Sequence, residues 1–248
     1  MKKLTWPDSF INSVICANCL DVLPLIPDGA VDAVITDPPY GIADSPLQGQ
    51  ERTGKRVGGV NNYHPKSDWD EFVNPKWCEQ SCRVSKYVLW FGFWRQRYLI
   101  ESYMPYPIIT EIVWNKDCHT SPPCPVARKD ERLWIFGKEF KAARFDTSVW
   151  DEPIIPTWER REHKNEKPLS LMRRAIALTD ADIILDPFCG SGTTLVAAKQ
   201  LGRRYIGIEI SPKYCKIAEQ RLAQEQLQFD PSPPKPELPA KPLLDFNE

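Results

Sequence analysis

The sequence predicts an α/β fold: a mostly parallel, seven-stranded sheet with helices on both faces. Two patterns carry that expectation. Short apolar, β-branched runs alternate along the chain with longer segments of helical periodicity, the order that builds a parallel sheet. One of those runs enters a glycine turn that opens into a helical stretch, the arrangement that holds nucleotides at a sheet edge. A chain of 248 residues, 42% apolar and 26% charged, is long enough for one such domain and too short for two large ones.

The strand-like runs are residues 11–17, 31–36, 87–91, 108–114, 133–136, 183–185 and 205–210. Helical patterns occupy 75–84, 94–103, 168–179, 194–201 and 212–226. Pro168 and Pro212 suit a first helical turn, where a missing N–H costs nothing. Between 108 and 136 no helical pattern intervenes, so that stretch reads as two strands joined by a long loop. Three segments read as irregular: 41–70, 115–130 and 151–167. Loops of such length inside a compact domain are usually functional or disordered. Residues 229–248 are proline-rich with few large apolar side chains, so a disordered tail is expected there, after a single folded domain over 1–228.

Net charge is −1, less basic than is usual for a nucleic-acid binder. Local charge differs from the total. Basic clusters occur at Arg52/Lys55/Arg56, Arg128/Lys129/Arg132, Lys138/Lys141/Arg144, Arg160/Arg161/Lys164 and Arg173/Arg174. No run of about 18 apolar residues occurs, and the first ten residues lack an apolar signal region; a cytoplasmic protein without a membrane span is expected. Of the 8 cysteines, Cys16 and Cys19 are spaced CxxC, while Cys78/Cys82 and Cys118/Cys124 are looser pairs. A zinc site wants a second tight pair or a histidine pair, so reduced thiols and no metal are expected.

The glycine turn reads Asp186-Pro187-Phe188-Cys189-Gly190-Ser191-Gly192-Thr193-Thr194. The third glycine of the dinucleotide fingerprint is replaced by Leu195, and no P-loop lysine is present. The turn is therefore ill suited to pyrophosphate or triphosphate and better suited to an adenosine ligand without phosphate. The next strand ends in Glu209, whose carboxylate can accept both ribose hydroxyls. Near the other end of the chain, residues 31–36 run into Asp37-Pro38-Pro39-Tyr40. Pro-Pro recurs at 122–123 and 233–234 among 24 prolines, so it carries little alone. Its position does carry weight: an acid, two prolines and an aromatic at the C-terminal end of a predicted central strand, where open α/β sheets bind ligands.

With Asp-Pro-Pro-Tyr early and Phe-x-Gly-x-Gly late, the chain resembles the β group of amino-methylating DNA methyltransferases. His163-x-x-x-Lys167-Pro168-Leu169 and the stretch from Arg203 through Glu209 to Tyr214 and Arg221-Leu222 also follow the family pattern. So do residues 87–92, which resemble the strand flanking the cofactor adenine, and 112–116 and 133–138, which resemble strands beside the target base. One departure is Ala17-Asn18, where the family commonly has Gly-Asp. The resemblance implies a circularly permuted, Rossmann-like S-adenosylmethionine-dependent methyltransferase fold. In it the strand at 11–17 completes the sheet beside 205–210.

The resemblance further implies S-adenosylmethionine as methyl donor and double-stranded DNA as partner. Asn18, Asp37, His163, Lys167, Asp186 and Phe188 would contact the cofactor, together with Gly190, Ser191, Gly192, Thr193 and Glu209. Asp37, Pro38, Pro39 and Tyr40 would be catalytic. The residue types suit the chemistry. An exocyclic amino nitrogen is a poor nucleophile, because its lone pair is delocalised into the ring. The Asp37 carboxylate and the rigidly directed Pro38 carbonyl can accept its N–H groups, at roughly 1.5–3 kcal/mol for a bond to a charged partner. Tyr40 offers a face for a base flipped out of the duplex, with stacking of about 1–3 kcal/mol. Within the family, Asp rather than Ser at the first position favours adenine N6. A cytosine-N4 enzyme, a non-catalytic DNA-binding subunit, and an RNA or protein-amide methyltransferase stay open. So do a homodimer and a separately acting cognate restriction endonuclease. Only 41–70, 115–130 and 151–161 are available to read DNA within the 1–228 catalytic domain, so a short or relaxed target sequence is expected.

Overall fold

A computed structural model of the chain describes residues 4–39, 74–116, 129–155 and 166–224. Tyr40, His163, Cys118 and Cys124, all of 41–70, most of 115–130 and 151–161, and the 229–248 tail lie outside the described residues.

The elements follow in order as β1 (Ser13–Cys16), α1 (Cys19–Val22), β2 (Val31–Thr36), α2 (Pro75–Val84), β3 (Ser85–Gly92), α3 (Arg97–Tyr103), β4 (Ile108–Asn115) and β5 (Asp130–Gly137). Then come β6 (Val149–Asp151), α4 (Leu169–Ala177), β7 (Ile183–Asp186), α5 (Thr193–Gln200), β8 (Arg204–Glu209) and α6 (Pro212–Ala223). The strands form one sheet in the order β1-β8-β7-β2-β3-β5-β4-β6. Every neighbouring pair is parallel except those made by β5, which runs against both β3 and β4. The N-terminal strand β1 lies outside β8, the place the permuted order requires.

The expectation of a mostly parallel α/β sheet holds, with one correction: the sheet has eight strands, not seven. The additional strand, β6, is three residues long and pairs with β4 at the edge. Its one buried side chain is Trp150, so no alternation is long enough to show in the sequence. Boundaries also move. The run at 11–17 contracts to Ser13–Cys16 because Asn12 turns left-handed at φ 57° before the strand starts. The helical pattern at 94–103 opens as a 3-10 turn at Trp94–Gln96. The strand expected at 133–136 begins at Asp130, because Glu131 and Arg132 join the ladder with Trp114 and Val113 despite their charge.

Alternation along the central strands divides the core into two layers. On β3, Tyr87, Leu89 and Phe91 face the layer of α4 and α5, where Leu171, Ile176, Leu195 and Ala198 pack. Val88 and Trp90 face the opposite layer, against Trp77 and Cys82 of α2 and Ile100 of α3. Burial pushes the Cys19, Cys78 and Cys82 thiols up to about 12, which makes them packing groups rather than nucleophiles.

Two neighbouring strands send the chain in opposite directions. From β7 it passes through α5 to β8 on one side; from β2 it passes through α2 to β3 on the other. A crevice opens at the C-terminal ends of strands at such a reversal, and that is where open α/β sheets hold ligands. The glycine turn follows β7 and Asp37 follows β2, so both sequence motifs arrive at this point.

Candidate active site

Asp186 closes β7 and is turned inward. Its Oδ1 accepts from Thr36 Oγ1 of β2 at 2.8 Å and from the Phe188 N–H at 3.1 Å, and its Oδ2 accepts from Thr194 Oγ1 of α5 at 2.6 Å. Burial pushes its carboxyl up to about 6, against the pull of those three donors. The side chain thus laces β2, the glycine turn and α5 together. Phe188 beyond it meets Trp77 of α2 edge-on at 4.8 Å.

The turn itself bends through Gly190 at φ 51° and Gly192 at φ 84°, where a side chain would be strained. At Gly192 the need is also steric: a Cβ there would stand 2.8 Å from Cβ of Ala218 on α6. Ser191 and Thr193 are held from the same helix. The Arg221 guanidinium donates to Ser191 O at 2.9 Å, Ser191 Oγ at 3.0 Å and Thr193 Oγ1 at 3.1 Å, and pairs with Glu166 at 2.8 Å. Glu166 in turn accepts from Thr193 Oγ1 at 3.1 Å. Glu209, at the end of β8, accepts from the Gly190 N–H at 3.0 Å and from the Ser211 N–H at 2.8 Å. Burial raises its carboxyl above the usual range despite those donors. The Ile210 N–H is a third backbone donor to this carboxylate, whose two oxygens offer about four acceptor sites in all, enough for a ribose hydroxyl as well. Asn18 stands at the end of β1, where its oxygen caps α1 by accepting from the Leu20 N–H at 3.0 Å.

Across the crevice, Asp37 accepts from Lys167 Nζ at 2.7 Å. Pro38 beside it is buried. Lys167 also reaches Glu131 of β5 at 3.0 Å, and Glu131 is shared with Lys116 at 2.7 Å. Burial alone would lower the Lys167 ammonium; the charges of Asp37 and Glu131 outweigh it and hold the group above the ordinary lysine value. Burial would likewise raise Glu131, but Lys167 and Lys116 hold it below the usual carboxylate range.

The DNA methylase family model matches residues 31–220. The chain belongs to this family of N6/N4 amino-methylating enzymes. Among its relatives, the type II methyltransferase M.HinfI of Haemophilus influenzae is 27% identical over 288 residues, covering 96% of this chain and 77% of that protein. The fold matches the M1.HpyAVI–S-adenosylmethionine complex with a TM-score of 0.58 at 22% identity, over 84% of this chain and 98% of the other. It matches the cytosine-N4-specific PvuII DNA methyltransferase with a TM-score of 0.61 at 16% identity, over 87% of each.

The protein is therefore an S-adenosylmethionine-dependent N6/N4 DNA methyltransferase. The donor set fits that cofactor: a turn bent by two positive-φ glycines, a carboxylate at the next strand end, and no phosphate-binding lysine in the turn. The DNA methylase sequence motifs converge on the crevice, with Asp37 from one strand end and Phe188, Gly190 and Glu209 from two others. Lys167 and its neighbour Glu166 face different parts of the crevice. Lys167 donates to Asp37, while Glu166 accepts from Thr193 in the turn. Sequence reasoning missed Glu131, Lys116 and Glu166. Two acids and a lysine in polar surroundings give no periodic signal, and only the pairing of β4 with β5 brings Glu131 and Lys116 together.

Proposed function

We propose that this methyltransferase acts on the exocyclic N6 amino group of an adenine flipped out of double-stranded DNA. The observation that carries the reading is Asp37, an acidic residue at the end of β2, with its carboxylate held by a buried lysine beside the glycine turn. S-adenosylmethionine supplies the electrophilic methyl group. Glu209 would accept its ribose hydroxyls, and the backbone of Phe188 to Gly192 would line its path. Asp37 and the Pro38 carbonyl would accept the two N–H groups of the target amine and draw its lone pair out of the ring plane. The nitrogen is then aligned with the methyl group, and alignment supplies most of the rate. Tyr40 would stack on the extruded base.

A cytosine N4 amine presents the same two N–H groups, and the PvuII enzyme has the same fold with that specificity. Asp at position 37 favours adenine. Incubation with S-adenosylmethionine and unmethylated plasmid, followed by digestion to nucleosides and mass spectrometry, separates the two readings. The expected product is N6-methyladenine, reduced by roughly 10²-fold or more in Asp37→Ala, which loses an acceptor of about 1.5–3 kcal/mol as well as alignment. N4-methylcytosine would keep the chemistry and overturn the choice of base. No modified base despite cofactor binding would point to a missing partner.

A further inference from the structure

Four charged side chains run in alternation through the C-terminal end of the sheet: Asp37 after β2, Lys167 before α4, Glu131 on β5 and Lys116 after β4. The contacts are 2.7, 3.0 and 2.7 Å in that order. Both lysines are buried, at 8% and 6% side-chain exposure, and Glu131 shows only 14%. Trp114 lies beneath both ammonium groups, 5.8 Å from Lys167 and 5.6 Å from Lys116, and Phe91 stands 5.7 Å from Lys167. Burying so many charges costs several kcal/mol per ion, and apolar replacements of similar volume are often as stable or more so. Stability therefore gives little reason for this arrangement. Preorganised charge at a reaction crevice gives a better one.

Lysine is a flexible four-carbon stem ending in a point charge, so by itself it defines no position. Glu131 does. It sits within a paired strand, opposite Trp114 of β4, and its two oxygens are engaged separately, Oε1 by Lys116 and Oε2 by Lys167. We propose that Glu131 is a positioning residue for methyl transfer: it holds the Lys167 ammonium in place at Asp37 and thereby fixes the carboxylate that receives the target amine. This rests on Asp37 as the amine acceptor and is independent of which base is methylated.

The test uses the full chain with Glu131→Gln, which keeps shape and removes charge. The expected result is a kcat at least tenfold lower, with the Kd for S-adenosylmethionine and the KM for DNA within threefold of wild type. The pH profile gives a second readout. Lys167 faces Asp37 from the end of β2 and Glu131 from β5, with the uncharged rings of Phe91 on β3 and Trp114 on β4; Lys116 faces it only through Glu131. Removing one of its two carboxylates makes the ammonium easier to deprotonate. The variant should lose kcat at the alkaline end of the range in which DNA stays duplex, where wild type stays level. Glu131→Gln with Lys116→Met restores local neutrality and guards against a single variant that does not fold. It should remain as slow as the single variant. Wild-type kcat and pH profile in Glu131→Gln would overturn the proposal. So would recovery of wild-type kcat in the double variant, which would reduce Glu131 to a counter-ion for Lys116. Asp37→Ala run in parallel separates the premises: if it stays active, the acceptor role of Asp37 fails, and if it is inactive while Glu131→Gln is normal, only the positioning role fails.

Discussion

Asp186 shows how burial changes what a motif residue does. As part of the glycine turn it reads as a cofactor contact, yet three internal donors occupy its carboxylate and only 2% of it is exposed. We expect it to act mainly by lacing the turn to β2. Its carboxyl lies near 6 rather than the ordinary 3.8, so the ionised form is disfavoured in the folded state. Two pK units correspond to about 3 kcal/mol. The sign is the reverse of a salt-bridged acid: this contribution is most favourable below about pH 4, declines as pH rises through the unfolded and then the folded value, and is least favourable above about 6. Asp186→Asn keeps an acceptor for Thr36 and the Phe188 N–H and can donate to Thr194. Its melting temperature relative to wild type should be highest near pH 8 and fall as pH drops to 5. Other titrating groups cancel in that difference, and a constant difference across the range would refute the assignment. Asp186→Ala should destabilise at every pH by more than about 2 kcal/mol, since it leaves two hydroxyls and an N–H unpaired. Strand-end acids such as Asp37 and Glu209 were legible in the sequence because position along an alternating pattern places them. The inward turn of Asp186 was not, because it depends on Thr36, 150 residues away.

At the scale of elements, the glycine turn is shaped as much by α6 as by its own glycines. Gly192 must be small because Ala218 lies against it, and Arg221, one helical turn later on α6, grips Ser191, Thr193 and Glu166. Glu166 and Lys167 are adjacent yet serve opposite walls of the crevice, so the segment before α4 ties the glycine turn to Asp37, the proposed amine acceptor. Arg221→Met should loosen the turn while leaving Asp37 untouched. The expected outcome is a Kd for S-adenosylmethionine raised about tenfold by calorimetry, roughly the loss of one charged hydrogen bond, with kcat at saturating cofactor within threefold. A fall in kcat without a change in Kd would show that the clamp serves the reaction and not binding. The elements themselves were largely readable: seven strands and five helices follow from alternation and periodicity, because their apolar runs are long. The eighth strand, the single turn of α1 and the early start of β5 were not. A three-residue strand, a four-residue helix and a charged strand end carry no periodic signal and are set by neighbours far along the chain.

At the scale of the whole molecule, a protein of net charge −1 must attract DNA by the placement of charge rather than its sum. Among the described residues no helix is long and apolar enough to cross a membrane. Several basic clusters are accounted for in the fold. Arg132 pairs with Asp130 and Glu111, and Arg174 pairs with Asp146. Lys138 and Arg144 follow β5, whose antiparallel course ends beside Tyr87 near the start of β3, at the sheet edge opposite Asp37. Arg52/Lys55/Arg56, Arg128 and Arg160/Arg161/Lys164 lie outside the described residues, in segments whose flanks meet the other edge. Residues 39, 116, 129 and 166 all adjoin the C-terminal ends of β2 and β4, the start of β5, or Lys167, on the edge that carries Asp37. We propose that DNA phosphates are met from these segments. Replacing Arg52, Lys55 and Arg56 by glutamine should raise the KM for DNA and flatten the dependence of log K on log salt by about 0.9 for each phosphate no longer neutralised, while leaving S-adenosylmethionine affinity unchanged. The same replacement at Lys138, Lys141 and Arg144 should leave both slope and KM at wild-type values. Equal effects from the two triple variants would mean that charge acts through the total after all, and the placement argued from the sheet edge would fall.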